Sequence, residues 1–189
     1  MDALYLARSE TDVPVSPSEL NANAWLLNCE NGTVDLRTGE LLRHRLADLF
    51  TKMALVDYGP QANAHAFTKF LKQILPSEAL WRFVQRVVGY AATGEVSEEV
   101  FVILHGVGAN GKSTLVNAIM EALGDYAKEA APDLLLVKRS SHPTQPADLF
   151  GARFVASDET DEGRRLAEGL VKKLTGRGPR PYKGSPDAT

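Results

Sequence analysis

The spacing of apolar positions changes along the chain, and each change marks a different element. Residues 1 to 22 are mostly polar, with Pro14 and Pro17 set among Ser16, Ser18 and Asn21. Val13 and Ser16 each precede a proline and are pushed out of helical geometry, so this stretch reads as an irregular arm. Trp25-Leu26-Leu27 and Thr33-Val34-Asp35-Leu36 then flank Asn31-Gly32, a hairpin-turn pair, and Thr38-Gly39 marks a second turn. A small antiparallel β element is expected there. After Tyr58-Gly59-Pro60 the period becomes helical. Phe67, Phe70, Leu71 and Ile74 share one face, and Pro76 stops the helix. Leu80, Val84, Val87, Val88 and Ala91 repeat the pattern up to Thr93-Gly94.

At Val100 the pattern changes again. Val100-Phe101-Val102-Ile103-Leu104-His105 is a nearly continuous apolar run, expected as a strand buried on both faces. A glycine-rich loop follows, then Leu115, Val116, Ile119, Met120 and Leu123 on a helical face closed by Gly124. Ala152 to Ser157 predicts a second strand, and Leu166, Leu170, Val171 and Leu174 predict another helix. Strand, loop, helix, strand, helix is the order of an α/β domain with a mostly parallel sheet. The expected organisation is an arm over 1–22, a mixed β and α-helical accessory domain over 23–95, the α/β core over 96–176, and a basic Gly/Pro-rich tail over 177–189. A chain cut off before its sheet is complete would end in the same way.

Composition narrows the class. Hydrophobic residues make up 44% of the 189 positions and charged residues 24%, which suits a chain with a packed core. The formal charge is −3, from 21 basic and 24 acidic side chains, so contact with nucleic acid must come from a local basic patch. Cys29 is the single cysteine, which excludes an intramolecular disulfide and a cysteine zinc cluster. No apolar run approaches the roughly 18 residues of a membrane span, and the N-terminal MDALYLARSETD lacks a signal-peptide pattern. A soluble, cytoplasmic protein without membrane contact is expected.

The sharpest chemical feature is Gly106-Val107-Gly108-Ala109-Asn110-Gly111-Lys112-Ser113-Thr114, which matches the phosphate-loop (Walker A) pattern between an expected strand and an expected helix. Triphosphate oxygens need several donors converging on a small volume, and backbone N–H groups supply them where no Cβ intervenes. Gly106, Gly108 and Gly111 would permit that approach. The positive end of the helix beginning near Lys112 adds a fixed partial charge. The Lys112 ammonium would reach the β- and γ-phosphates of ATP, the Ser113 hydroxyl would ligate Mg2+, and Thr114 would contact the α-phosphate.

Hydrolysis also needs an acid at the end of a neighbouring strand. Phe154-Val155-Ala156-Ser157-Asp158-Glu159 offers two: Asp158 to hold Mg2+ through its water shell, and Glu159 to polarise the attacking water. The same acids, with Asp161 and Glu162, also read as a solvated turn capping the next helix. Both readings stand at this point.

These segments resemble the phage and plasmid primase family, whose helicase module belongs to superfamily 3 of the AAA+ ATPases. The resemblance is carried by Asn31-Gly32-Thr33-Val34-Asp35-Leu36-Arg37-Thr38-Gly39, Val88-Gly89-Tyr90-Ala91-Ala92-Thr93-Gly94 and Gly108-Ala109-Asn110-Gly111-Lys112-Ser113-Thr114. His142-Pro143-Thr144, Leu149-Phe150-Gly151-Ala152-Arg153 and Lys173-Leu174-Thr175-Gly176 complete it. It implies an AAA+-like P-loop core, a homo-oligomeric ring, and ATP hydrolysis coupled to translocation on single-stranded or forked DNA in a bacterial host. By motif match, Lys112 and Ser113 take the nucleotide and metal roles, and Asp158 and Glu159 the acidic ones. Many relatives carry a small residue at the position of Asp158, which favours Glu159 as the catalytic acid. After Gly176 the chain departs from the family: the expected acid, sensor asparagine and arginine finger have no counterpart. The expectation is therefore a core incomplete at its C-terminus, either a fragment, a prophage remnant or a short relative.

Other residues leave alternatives open. Arg164, Arg165, Lys172, Lys173, Arg177, Arg180 and Lys183 face only Glu168 in a stretch suited either to DNA phosphates or to a solvated helix face and tail. His142 reads as structural or solvent-exposed, His105 as held by the sheet, Cys29 as a small buried hydrophobe, and Arg153 as the partner of an acid without a catalytic task. Three functions remain: a replicative helicase ATPase, a remnant that binds nucleotide without turnover, and a small-molecule kinase, the last lacking an evident arginine-bearing lid.

Overall fold

The structure is a computed structural model in which residues 14–131, 134–136, 149, 151–157 and 166–176 are described. The N-terminal β element forms as a three-stranded antiparallel sheet, β1 (Leu26–Cys29), β2 (Gly32–Asp35) and β3 (Glu40–Leu42). Its first turn is displaced by one residue from expectation. Cys29 pairs with Gly32, so Glu30 and Asn31 make the turn and Gly32 opens β2. Close approach explains the glycine, since a Cβ there would lie 2.5 Å from the Leu42 carbonyl oxygen. Asn31 instead holds the loop at Tyr58, donating from Nδ2 to the Tyr58 carbonyl and accepting from its N–H, both at 2.9 Å.

Helices α1 (His65–Ile74) and α2 (Glu78–Ala92) fall where the periodicity places them. Pro76 lies between them, and the Ser77 hydroxyl caps α2 by accepting from the Leu80 N–H. Helix α3 (Lys112–Leu123) ends at Gly124, whose φ of 51° suits a residue without Cβ. Two short strands, β4 (Ala127–Glu129) and β5 (Phe154–Ala156), pair in parallel, and α4 (Glu168–Thr175) follows. The fold is thus mixed α/β with two small sheets, and the parallel sheet expected from the sequence is represented among the described residues by this one pair.

One expectation is overturned. Val100 to His105 forms no strand and is not buried: Phe101 is 44% exposed and Ile103 70%. A strand exists only where neighbouring backbone satisfies its N–H and C=O groups, and no described segment pairs with this run. His105 is accordingly exposed rather than held by a sheet.

A core cluster among the described residues joins the N-terminal sheet to the segment after the glycine loop. Cys29, Val34, Ala54, Leu71, Leu115, Ile119, Leu123, Tyr126 and Ala127 form one buried cluster drawn from β1, β2, α1, α3 and β4. Tyr126, fully buried, donates to the Lys52 carbonyl at 3.2 Å and accepts from the Asn28 N–H at 3.3 Å. Arg153 adds a second clamp: its guanidinium donates to the Ala92 carbonyl at 2.7 Å and the Leu26 carbonyl at 2.8 Å while lying 4.4 Å over the Tyr126 ring. No helix among the described residues is long and apolar enough to cross a membrane.

Candidate functional site

The glycine loop enters α3 through an alternation of backbone hands. Ala109 has φ 58° and Gly111 φ 86°, both left-handed, and Lys112 begins the helix directly afterwards. The sequence places glycine at one of these two positions; at the other, alanine adopts a conformation L-residues rarely hold. The three glycines differ in what they do. A Cβ on Gly106 would run into the Asn110 side-chain amide, and one on Gly111 would lie 2.6 Å from Ile74 Cγ2 and 3.4 Å from Phe70 Cε2. A Cβ on Gly108 would meet nothing within 4 Å.

Lys112 is folded back over the loop. Its ammonium donates to the Gly106 carbonyl at 2.9 Å, the Val107 carbonyl at 3.3 Å and Asn110 Oδ1 at 3.0 Å. Gly106, Asn110, Gly111 and Lys112 are half-buried, whereas Val107, Gly108, Ala109, Ser113 and Thr114 are exposed. The site is therefore an open rim in which a cation sits on neutral oxygens at the positive end of a helix.

Phe70 and Ile74, one turn apart on α1, form the floor beneath Gly111, so the N-terminal region supports the loop. Their shared helical face was legible in the sequence; what it packs against was not. Asp158 and Glu159 lie outside the described residues, beyond the end of β5 at Ala156. So do His142 and, of the basic stretch, Arg164, Arg165, Arg177, Arg180 and Lys183; Lys172 and Lys173 are exposed in the last turn of α4. Burial pushes the Cys29 thiol up, with a smaller contribution from Asp57, and burial likewise raises the Tyr126 phenol. Burial lowers Lys52, and Lys128 adds to the effect.

Comparison with known proteins bears on the N-terminal part first. Residues 1–76 match the family described as D5 N terminal like. The matched segment takes in the β1–β3 sheet and α1, the helix that floors the glycine loop. The chain is also 31% identical over 176 residues, 87% of its length, to "Putative helicase L207/L206" of Acanthamoeba polyphaga mimivirus. It spans 18% of that relative's length.

Proposed function

We propose that this chain is the nucleotide-binding part of a primase- or helicase-related DNA replication protein, with an AAA+-like core of superfamily 3 and ATP bound at the glycine loop. The observation that carries the reading is the placement of Lys112. Its ammonium rests on three loop oxygens at the N-terminus of α3, in a loop where Gly106 makes room for the Asn110 side chain and Gly111 for Ile74 and Phe70. Such a cation is held ready to exchange neutral acceptors for phosphate oxygens, while the helix end contributes further positive potential.

Ser113 suits the group it would hold. Ser113 is exposed in the first turn of α3, where its hydroxyl is open to a ligand, and with Asp158 it would hold Mg2+. Bound there, Mg2+ supplies charge neutralisation to the phosphate oxygens. Backbone amides of the loop orient the triphosphate, Lys112 stabilises charge that develops on it, and Glu159 polarises the attacking water. Movement on single-stranded or forked DNA belongs to the same proposal, supported by the viral relative's description as a putative helicase, and homo-oligomeric ring assembly is proposed with it. A second reading, nucleotide binding without turnover, is favoured by the exposed run from Val100 to Leu104, which has no strand partner among the described residues.

ATP turnover by the purified chain, with and without single-stranded DNA and with Lys112→Ala as the blank, tests the proposal. Turnover that rises with DNA and vanishes in the variant is expected of the helicase reading. ATP binding that is lost in Lys112→Ala, without turnover in either protein, supports the second reading; no binding at all overturns both.

A further inference from the structure

We infer that the α1–α2 hairpin is a contact site for single-stranded DNA, with Trp81 as a stacking platform and Lys72, Lys69 and Arg82 as its phosphate contacts. The inference rests on the replication reading only for the choice of DNA as the nucleic acid; the surface itself is read from its own chemistry.

Residues 65 to 86 hold four lysines and arginines, Lys69, Lys72, Arg82 and Arg86, against one acid, Glu78, in a chain whose net charge is −3. All four are exposed. Two of them lie over the ring of the half-buried Trp81: Lys72 Nζ is 5.9 Å and the Arg82 guanidinium 5.3 Å from its centre, one from each helix. Glu78 pairs with Arg82 at 2.7 Å, and no other ion pair to these cations is present among the described residues. Two shallow depressions of about 330 and 300 Å3 lie along this face, one at Trp81 and Pro76 and the other between His65 and Lys69, with Lys72 on the rim of both.

A cation track beside an indole is the arrangement that holds an unpaired strand. Phosphates follow the cations, and a base offers its π-face to the ring regardless of sequence. A duplex keeps its base faces stacked inside, and an acidic peptide leaves the ring without a counterpart, so both fit less well.

The test measures binding of a labelled oligo-dT to the full chain across a salt series, for wild type, Trp81→Ala, Trp81→Phe and Lys72→Ala. Trp81→Ala is expected to weaken binding by about tenfold, with Trp81→Phe recovering most of it. Lys72→Ala is expected to reduce the slope of log affinity against log salt by about 0.7, the signature of one lost phosphate contact. Bound DNA should quench tryptophan fluorescence, and Trp81→Phe should remove most of that quenching. Unchanged affinity in Trp81→Ala and Lys72→Ala would overturn the inference, as would a wild-type chain that does not bind the oligonucleotide. Competition by poly-glutamate as strong as by unlabelled oligo-dT would reassign the face to an acidic protein. Binding of a fluorescent ATP analogue, read on the same variants, should not change. Loss of DNA binding in these variants with that signal intact therefore supports the hairpin, a wild-type chain that binds the nucleotide but not the oligonucleotide counts against it, and a chain that binds DNA but no nucleotide counts against the proposed ATP site.

Discussion

Replacing Arg153 by alanine tests the clamp between the strand β5 and the N-terminal region. The guanidinium donates to two carbonyls from distant parts of the chain, Ala92 at 2.7 Å and Leu26 at 2.8 Å, and covers the Tyr126 ring at 4.4 Å. Hydrogen bonds from a charged donor contribute about 1.5 kcal/mol each at the lower end. The cation over the ring contributes about 1 kcal/mol. Partial access of water to the half-buried Arg153 offsets some of this, which leaves an expected loss of about 3 kcal/mol for Arg153→Ala. With a urea dependence of about 2 to 3 kcal/mol per molar, the unfolding midpoint should fall by about 1 to 1.5 M. Arg153→Lys keeps the charge but has no planar fork to span both carbonyls, so it should restore less than half of the shift. Equilibrium urea unfolding followed by circular dichroism reads all three proteins. A midpoint for Arg153→Ala within about 0.2 M of wild type, on the same scale, would refute the assignment of the clamp.

The remaining expectations concern the loop and the core. Gly111→Ala forces a side chain into a left-handed position 2.6 Å from Ile74 Cγ2, and should cost more than about 1 kcal/mol in thermal or urea unfolding, and less than that when made in an Ile74→Ala background. Thr33 is fully buried, and its hydroxyl has no hydrogen-bond partner among the described residues. Thr33→Val should therefore raise stability by about 1 kcal/mol, and a loss of that size in urea unfolding would mean that the hydroxyl is satisfied. The folded chain holds the protons of Cys29 and Tyr126 more tightly than the unfolded chain does. Their contribution is full below the ordinary values of 9.0 and 10.0 and falls as pH rises through and beyond them. The melting temperature should thus drop above pH 9, starting later in Cys29→Ala; an unchanged alkaline profile in that variant would contradict burial as the cause.

The sequence was most legible where periodicity is local. Phe67, Phe70, Leu71 and Ile74 announce α1, Pro76 its end, and Gly124 the end of α3, because each signal acts within a turn or two of the backbone. The same local reading misled at Val100 to His105. An apolar run reports a tendency to be covered, and only a neighbouring strand can turn that tendency into a sheet. Ala127-Lys128-Glu129 was missed because three residues with two charges carry no strand pattern; pairing with β5 makes it one. At the site, the glycine spacing pointed to the loop, but not to alanine taking a left-handed turn or to Phe70 and Ile74 beneath Gly111. Arg153 reads from the sequence as the partner of an acid, and the two backbone carbonyls it reaches lie 61 and 127 residues away, beyond the reach of any local pattern. Trp81 is not among the apolar positions read from the period, Leu80, Val84, Val87, Val88 and Ala91, and only the structure shows Lys72 and Arg82 over its ring.

The central claim is that the loop from Gly106 to Lys112 holds a nucleoside triphosphate. Titration calorimetry of the full chain with Mg-ATP, wild type against Lys112→Ala, tests it most directly. Saturable binding that the substitution removes or weakens at least tenfold is the predicted result. Binding of equal strength in both proteins, or none in wild type, would contradict the account.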